Sequence, residues 1–145
     1  MSNKNQEFHI KYWNLLLERY NDVDNSFGRL PPKAKSWLSD RSNWPCFSFR
    51  FNARKVQYQT VNPYISVEFG TKDLKTYEKL VAHKVSIEND FGDRLEWYRN
   101  YRDELHIIQF PKYNADIREV GWDKLIEFHC EYMPKFKSIF SQYLD

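Results

Sequence analysis

Arginine and tyrosine residues cluster at two places in the chain, beside predicted strands. An arginine side chain can hold a phosphate group through two hydrogen bonds, and a tyrosine ring can stack on an unpaired base. The candidate binding residues beside the first strand are Arg50, Arg54, Lys55 and Tyr58, and those along a later hairpin are Arg94, Tyr98, Arg99, Tyr101 and Arg102. If both hairpins belong to one sheet, the pattern predicts a shared surface for nucleic acid or a partner protein.

The same residues also allow a plainer interpretation, in which they lie on solvated strand faces and their long stems cover apolar area. Acidic residues stand among the later arginines and can pair with them, namely Asp93, Glu96, Asp103 and Glu104. Both interpretations stay open at this point.

Residues that could hold a metal ion are present, but their spacing fits no known motif. The histidines His9, His83, His106 and His129 form no HxxxH or HExxH pair, the spacing that places two ligands on one helix face. Glu68 lacks the lysine two residues later that a PD-(D/E)XK nuclease requires, so we expect it to be an outward-facing strand residue. His129 is predicted to be a core or half-buried residue. The sequence predicts no metal site and no cofactor.

Catalytic motifs are equally absent from the sequence. The four glycines form no phosphate-binding loop, and no serine or cysteine stands in a nucleophile signature. An enzyme with dispersed groups, using a pocket lined by Glu68, His106 and neighbouring arginines, remains a third hypothesis behind two binding functions.

The length of the chain indicates one domain over residues 1–145, and the polar N-terminal residues 1–5 are expected to be frayed. The net charge of +2 excludes a general polycation but allows a local basic patch. Cys46 and Cys130 lie far apart and are predicted to be buried thiols in a reducing compartment. No apolar run has the length of a membrane span and no signal-type segment follows the N-terminus. A cytoplasmic protein without membrane contact is therefore expected.

The hydrophobic pattern predicts an α+β fold in the order α-(short α)-β-β-α-β-β-α. An antiparallel sheet of about four to five strands, arranged in two hairpins, is packed by an N-terminal helix, a central helix and a long C-terminal helix. The clearest strand is Cys46–Asn52, where Phe47, Phe49 and Phe51 alternate with polar residues. Tyr64–Phe69 alternates in the same way.

The remaining elements are less regular. Pro31 and Pro32 predict a short helix over Lys33–Leu38. A short strand is expected around Val56 and Tyr58. The central helix is expected to begin at Thr71 or Asp73, as N-cap, and to end at Gly92.

After Gly92 the pattern predicts a strand containing Leu95 and Trp97, a polar loop over 98–103, and a strand over 105–110. The last helix begins near Val120 and contains Pro134, which should kink it or split it.

Several of these segments, taken in order, resemble the bacterial family catalogued as domain of unknown function 4268. The segments that carry the resemblance are Tyr12-Trp13, the Phe47–Asn52 strand followed by Arg54, Val67-Glu68-Phe69, Ile87-Glu88 with Gly92, Leu95-Glu96-Trp97, and the Phe-rich final helix. Members often form the C-terminal part of proteins whose other half is a predicted PD-(D/E)XK nuclease. The resemblance implies association with bacterial nucleases, defence systems or mobile elements, and this chain carries no nuclease half, so we expect a separate partner or a domain reused alone.

Two binding functions follow from the residues and the resemblance together. The first is a non-enzymatic binding module for nucleic acid or a nuclease complex, acting through the Arg- and Tyr-rich turns. The alternative is a protein-interaction protein, such as a small inhibitor or a dimerising subunit, because Tyr, Trp and Arg commonly anchor interfaces. A homodimer is one form of that alternative.

Overall fold

The computed structural model describes residues 4–24, 27, 35, 37–40, 45–51, 60–61, 63–101, 105–111 and 115–144. The helices are α1 (Lys4–Tyr20), α2 (Leu74–Ala82), α3 (Lys84–Phe91) and α4 (Ile117–Leu144). The strands are β1 (Trp37–Ser39), β2 (Cys46–Phe51), β3 (Thr60–Val61), β4 (Pro63–Phe69), β5 (Glu96–Tyr101), β6 (Leu105–Phe110) and β7 (Ala115–Asp116). The order of helices and strands confirms the predicted mixed α+β fold.

Five of the strands form one antiparallel sheet in the order β1-β2-β4-β6-β5. A separate pair, β3 and β7, is also antiparallel. On β2 the buried residues Phe47, Phe49 and Phe51 alternate as predicted, and Ile65 and Val67 of β4 pair opposite them. These side chains define the apolar face of the sheet.

The helices pack on the apolar face through aromatic contacts. From α1, the Tyr12 ring lies 4.5 Å from that of Phe51, centroid to centroid. Phe136 of α4 meets Phe47 edge-on at 5.9 Å. Phe91 of α3 lies 4.7 Å from Phe110 of β6. Among the described residues, every ring contact between a helix and the five-stranded sheet is on this face, so the core is a single aromatic layer between sheet and helices.

His129 is a fully buried polar residue at the centre of this layer. Its Nδ1 lies 2.8 Å from the Tyr12 hydroxyl, and its Nε2 lies 3.2 Å from the backbone oxygens of both Arg50 and Tyr64. Carbonyl oxygens only accept, so Nε2 carries the proton, Nδ1 is the acceptor, and Tyr12 donates. Burial lowers the pKa of His129 to about 3, despite the two carbonyls that favour a charged ring. The predicted core histidine is therefore confirmed, and it is neutral.

A partly buried group of charges joins α4 to the segments that precede β2. Lys137 Nζ lies 2.5 Å from Asp24 Oδ2 and 3.3 Å from Asp40 Oδ2. The same ammonium lies over the rings of Phe27 and Phe47, at 5.2 and 5.6 Å from their centroids. Because Asp40 is almost completely buried, the cation of Lys137 offsets the cost of placing that carboxylate in the protein interior.

The predicted short helix over Lys33–Leu38 is wrong at its C-terminal end, where Trp37 and Leu38 belong to β1. Trp37 pairs with Arg50 and Leu38 with Phe49. Pairing with an existing strand and burial of Leu38 outweigh the local helix signal of the two prolines. The strand expected around Val56 and Tyr58 lies outside the described residues.

The predicted central helix is divided into a 3-10 turn, Thr71–Asp73, followed by α2 and α3. His83 separates the two helices with φ −105° and ψ 17°. Asp73 is the N-cap of α2, as expected, but its side chain makes no capping hydrogen bond. Gly92 ends α3 in the left-handed region at φ 91°, and its N–H donates to the backbone oxygen of Glu88 at 2.8 Å. The predicted helix stop at Gly92 is confirmed.

Gly92→Ala is expected to lower the free energy of unfolding by about 1–2 kcal/mol, the cost of a left-handed residue with a side chain. An added Cβ would meet only Lys135 Nζ at 3.6 Å, an ordinary contact, so the cost is confined to the backbone. Gly70→Ala is the matched control, because Gly70 has φ −73° and its substitution should change stability by less than about 0.5 kcal/mol. Urea unfolding of both variants measures the difference, and equal values would contradict the assigned strain.

The predicted polar loop over 98–103 is wrong for its first four residues. Residues Tyr98 to Tyr101 continue β5, which pairs with β6 through a shift in register between Tyr98 and Tyr101. Pairing with β6 supplies backbone partners that a turn would lack, and it extends the strand past the expected limit.

The last helix is not split at Pro134. Its helical dihedrals are interrupted at Gly121, with φ 73° and ψ 171°. Met133 and Phe136 are fully buried on either side of Pro134, and their packing holds the helix together where one backbone donor is missing. Within the described part of the chain, no helix combines the length and the apolar character needed to cross a membrane.

Candidate functional site

The side of the sheet opposite the apolar face is polar and aromatic. Side chains on a strand alternate between faces, so the residues between the inward phenylalanines point to this side. Paired register then places their neighbours on the other strands. These residues form the polar face: Trp37, Ser39, Cys46, Ser48, Arg50, Tyr64, Ser66, Glu68, Glu96, Tyr98, Ile107 and Gln109.

Arg50 is the most connected residue of the polar face. It forms an ion pair with Glu68, and its Nε donates to Ser66 Oγ at 2.9 Å. Its guanidinium lies 5.8 Å from the centroid of the Trp37 ring. The side chains of Arg50 and Glu68 are 21% and 13% exposed, so the pair is largely desolvated and its two charges offset one another. Arg50 is thereby fixed in place, with limited charge left for a ligand.

The β1–β2 end of the polar face holds small polar groups without a nucleophile. Ser39 Oγ and Ser48 Oγ are 2.7 Å apart. Burial raises the pKa of the Cys46 thiol, and the carboxylate of Asp40 raises it further. Cys46 therefore remains a protonated thiol at neutral pH.

The β5–β6 end holds a hydrogen-bonded group of three side chains. Glu96 Oε1 accepts from the Tyr98 hydroxyl and from Gln109 Nε2, each at 2.9 Å. Glu96 and Gln109 stand directly opposite one another in the β5–β6 register. The carboxylate is thus held in one orientation by two donors.

The start of β5 is anchored from α3 by Glu88. Its Oε2 accepts from the Leu95 amide at 2.9 Å and from Trp97 Nε1 at 3.0 Å. Burial acts to raise the pKa of Glu88, but these two hydrogen bonds and the nearby Lys84 and Arg94 outweigh it, so the pKa is lowered. An ionised Glu88 sets where β5 begins and hence which face Glu96 occupies.

The structure brings only part of the predicted arginine and tyrosine set together. Arg50 and Tyr98 share the polar face. Arg99 instead pairs with Glu78 of α2, with 3.2 Å between Arg99 Nη1 and Glu78 Oε2. Helix α2 packs on the apolar side of the sheet. Arg94 is exposed and precedes β5, at the opposite end of that strand from Tyr101. Arg54, Lys55, Tyr58 and Arg102 lie outside the described residues.

The pocket considered for an enzyme does not form. Glu68 pairs with Ile107, whereas His106 pairs with Phe69, so Glu68 and His106 lie on opposite faces of the sheet. His106 is buried against the ring of Tyr77 at 5.2 Å. In the described ranges, no three His, Cys, Asp or Glu residues are grouped to hold a metal ion.

Several residues of the polar face were not among the candidates from the sequence, namely Trp37, Tyr64, Ser66, Glu96 and Gln109. The available signal was the alternation itself, because each residue next to an inward apolar residue on a strand must point outward. What the sequence did not contain was the pairing partner of each strand.

Two cations stand at opposite edges of the sheet. Lys35 is exposed, and its Nζ lies 5.8 Å from the Trp37 ring centroid on the β1 side. On the β5 side, the Arg99 side chain is 55% exposed and its partner Glu78 is 49% exposed, so the ion pair between them contributes little. The middle of the polar face carries the charges of Arg50 and Glu68, and Glu96 lies at its β5 end. The arrangement can stack on and hydrogen-bond to a ligand, and Lys35 can attract an anion to the β1 edge.

A family model described as "Domain of unknown function (DUF4268)" matches residues 8–144. Comparison of the chain with curated proteins and with solved structures finds no match.

Proposed function

The chain belongs to the DUF4268 family, and from that premise we propose that it is a non-enzymatic binding module for unpaired nucleic acid, working with bacterial nuclease, defence or mobile-element systems. The observation that carries the proposal is the polar face, where Trp37, Tyr64 and Tyr98 stand on the same side of one antiparallel sheet as Arg50. This differs from the turns expected from the sequence, since the recognition surface is a strand face.

Aromatic side chains on a sheet face suit unpaired bases. Stacking of a base on an aromatic ring contributes about 1–3 kcal/mol and tolerates any sequence, because every base has a π-face. Trp37 is on β1, Tyr64 on β4 and Tyr98 on β5, so successive bases of a strand crossing the sheet would meet successive rings. All three side chains are half-buried, which limits the conformational entropy lost on binding.

The distribution of charge favours bases over the centre of the face and a phosphate at its β1 edge. Arg50 and Glu68 neutralise one another at the centre, and Glu96 places a negative charge at the β5 end. Lys35 is the cation beside the β1 edge, whereas the Arg99 side chain is directed to α2 on the other side of the sheet. With about one phosphate contact, log Kobs should fall against log salt with a slope of about −0.7.

The size of the face fits a short, extended ligand. Five strands spaced about 4.8 Å apart, presenting side chains over about four residues of strand, give a surface of roughly 20 Å by 14 Å. That is about 300 Å² at most, because Cys46, Ser48, Ser66 and Ile107 of this face are buried, and it is well under the approximately 800 Å² per partner of a stable protein interface. A homodimer through this face alone is therefore not favoured.

A protein partner is the second candidate, and the pairing of three described arginines favours it. Arg19 pairs with Asp123, Arg50 with Glu68 and Arg99 with Glu78. Paired arginines attract phosphate less strongly than free ones, whereas Trp, Tyr and Arg remain suitable anchors for a protein interface. The partner would be the nuclease or defence component that the family context implies.

Binding of fluorescein-labelled single-stranded and duplex DNA and RNA, measured by anisotropy across salt concentrations, tests the proposal. We expect single strands to bind more tightly than duplexes. Tyr64→Ala should weaken binding of single strands about tenfold through loss of one stacking platform. Tyr143→Ala is the matched control, because it removes a tyrosine at the far end of α4.

Absence of binding at low salt, or equal loss in both tyrosine variants, would overturn the nucleic-acid function. In that case, co-purification of a protein partner with the wild-type chain but not with Tyr64→Ala would support the second candidate.

A further inference from the structure

We propose, on the basis of the nucleic-acid function above, that the pair Glu96–Gln109 makes the β5–β6 end of the polar face selective for guanine. Three observations support this proposal. They are the hydrogen bonds within the pair, the acceptor atoms that those bonds leave over, and the neighbouring Tyr98 ring.

The orientation of the Gln109 amide follows from chemistry. Glu96 Oε1 lies 2.9 Å from Gln109 Nε2, and a carboxylate can only accept, so the NH₂ group of the amide must face it. The amide oxygen of Gln109 is then directed away from that contact. The Tyr98 hydroxyl donates to the same Oε1. Two donors on one carboxylate oxygen occupy it and hold the other, Oε2, in a fixed position.

The atoms left over at this site are acceptors. Within the part of the chain that the structure describes, neither Glu96 Oε2 nor the Gln109 amide oxygen receives a hydrogen bond. Glu96 and Gln109 are a directly opposite pair in the register of β5 and β6, which places their Cβ atoms about 5 Å apart. The two acceptors belong to neighbouring side chains, and a ligand with two adjacent donors can pair with both.

Guanine is the base that meets this requirement on its Watson–Crick edge. Its N1–H and its N2 amino group are neighbouring donors. Adenine and cytosine each place an amino group beside a ring nitrogen that accepts, and thymine and uracil place one N–H between two carbonyls. Any of these would set an acceptor against Glu96 or Gln109 and leave buried polar groups unpaired.

The Tyr98 ring lies on the same face, two residues along β5 from Glu96. An unpaired base that stacks on an aromatic side chain is commonly read along its Watson–Crick edge by adjacent polar groups. Tyr98 therefore serves both to orient Glu96 and to provide a stacking surface next to the two acceptors.

The test compares the affinities of the protein for DNA strands of seven nucleotides. All positions are thymine except the central one, which is guanine, inosine or adenine. Inosine is guanine without its 2-amino group. We expect the guanine strand to bind about tenfold more tightly than the adenine strand, with inosine between them. A single central guanine avoids self-association of G-rich strands.

Glu96→Gln replaces one acceptor oxygen by a donor and should reduce the guanine-to-adenine ratio to about one. Glu127→Gln is the matched control, a carboxylate-to-amide change on the exposed surface of α4, and it should keep the wild-type ratio. Thermal melting of both variants establishes that they are folded.

Equal binding of the three strands, or an unchanged ratio in Glu96→Gln, would overturn guanine selectivity while leaving the binding of unpaired nucleic acid intact. Failure of every strand to bind would overturn the proposed function, and the selectivity with it.

Discussion

His129→Leu is expected to lower the free energy of unfolding by about 4 kcal/mol at pH 7.5, since three hydrogen bonds are lost and each buried group left unpaired costs about 1–3 kcal/mol. The ring accepts from Tyr12 and donates to the oxygens of Arg50 and Tyr64. Leucine has a similar volume, so the effect comes mainly from the polar groups that lose their partners. Urea unfolding measures the change.

Tyr12→Phe is the graded control, because it removes only the hydroxyl that donates to His129. It should cost about 1–2 kcal/mol, the penalty for one buried acceptor without its donor. A His129→Leu protein as stable as the wild type would contradict the role assigned to this network.

The dependence on pH separates loss of the histidine from a general packing defect. The pKa of His129 is about 3 in the folded protein and about 6.5 in the unfolded chain. Between these values the unfolded state binds a proton that the folded state does not. The wild type therefore loses up to about 1.4 kcal/mol of stability for each unit that pH falls below about 6. Above pH 6.5 His129 is mostly neutral in both states, and this loss of stability disappears.

His129→Leu has no titrating group at this position, so its stability lacks this dependence on pH. The difference in stability between wild type and His129→Leu should therefore narrow as pH falls from 6.5 towards 4. His9, whose pKa burial also lowers, is present in both proteins and cancels in the comparison. A constant difference across this range would show that His129 is not held neutral.

Lys137→Met is expected to lower the free energy of unfolding by about 3 kcal/mol, because it removes the cation beside the buried Asp40 carboxylate. Its ammonium contacts Asp24 and the buried Asp40 and covers two aromatic rings. Methionine retains the length of the stem but supplies no charge to Asp40.

A double-mutant cycle separates the charge from the packing. Asp40→Asn combined with Lys137→Met should cost less than the sum of the two single changes by at least about 1 kcal/mol. Lys124→Met is the matched control, because the Lys124–Glu127 pair is exposed and separated by 3.5 Å, and its loss should change stability by less than about 0.5 kcal/mol. Equal effects of the two methionine variants would contradict the assigned burial.

Strong local periodicity explains what could be predicted from the sequence. Phe47, Phe49 and Phe51 alternate with polar residues so regularly that both the strand and its inward face follow from their spacing. Gly92 marked a helix end because only glycine adopts a left-handed backbone without strain. His129 stood within an apolar helical stripe, which favours a core position over a ligand role.

Some strands could not be predicted because they depend on pairing with strands distant in sequence. Trp37–Ser39 is a strand because β2 lies beside it, and a segment of this length has too little periodicity to be recognised alone. Tyr98 to Tyr101 continue a strand for the same reason. The register also decides that Arg50 meets Glu68, which is distant in sequence, and that Glu96 meets Gln109.

Of the binding residues expected from the sequence, Arg50 and Tyr98 share the polar face but stand on strands β2 and β5, with β4 and β6 between them. Arg99 was expected with them, but its side chain pairs with α2, because alternate residues of β5 point to opposite faces.

The contact between Tyr12 and His129 also determines the order in which the protein can acquire its structure during synthesis. It joins the first helix to the last across 117 residues of sequence, and Tyr12 and Trp13 of α1 are covered in part by residues of α4. Until α4 has left the ribosome, the apolar side of α1 and the phenylalanines of β2 have no complete cover. The nascent chain thus exposes the aromatic side chains of α1 and β2 until α4 has been synthesised, and exposed apolar surface of this kind favours aggregation over folding.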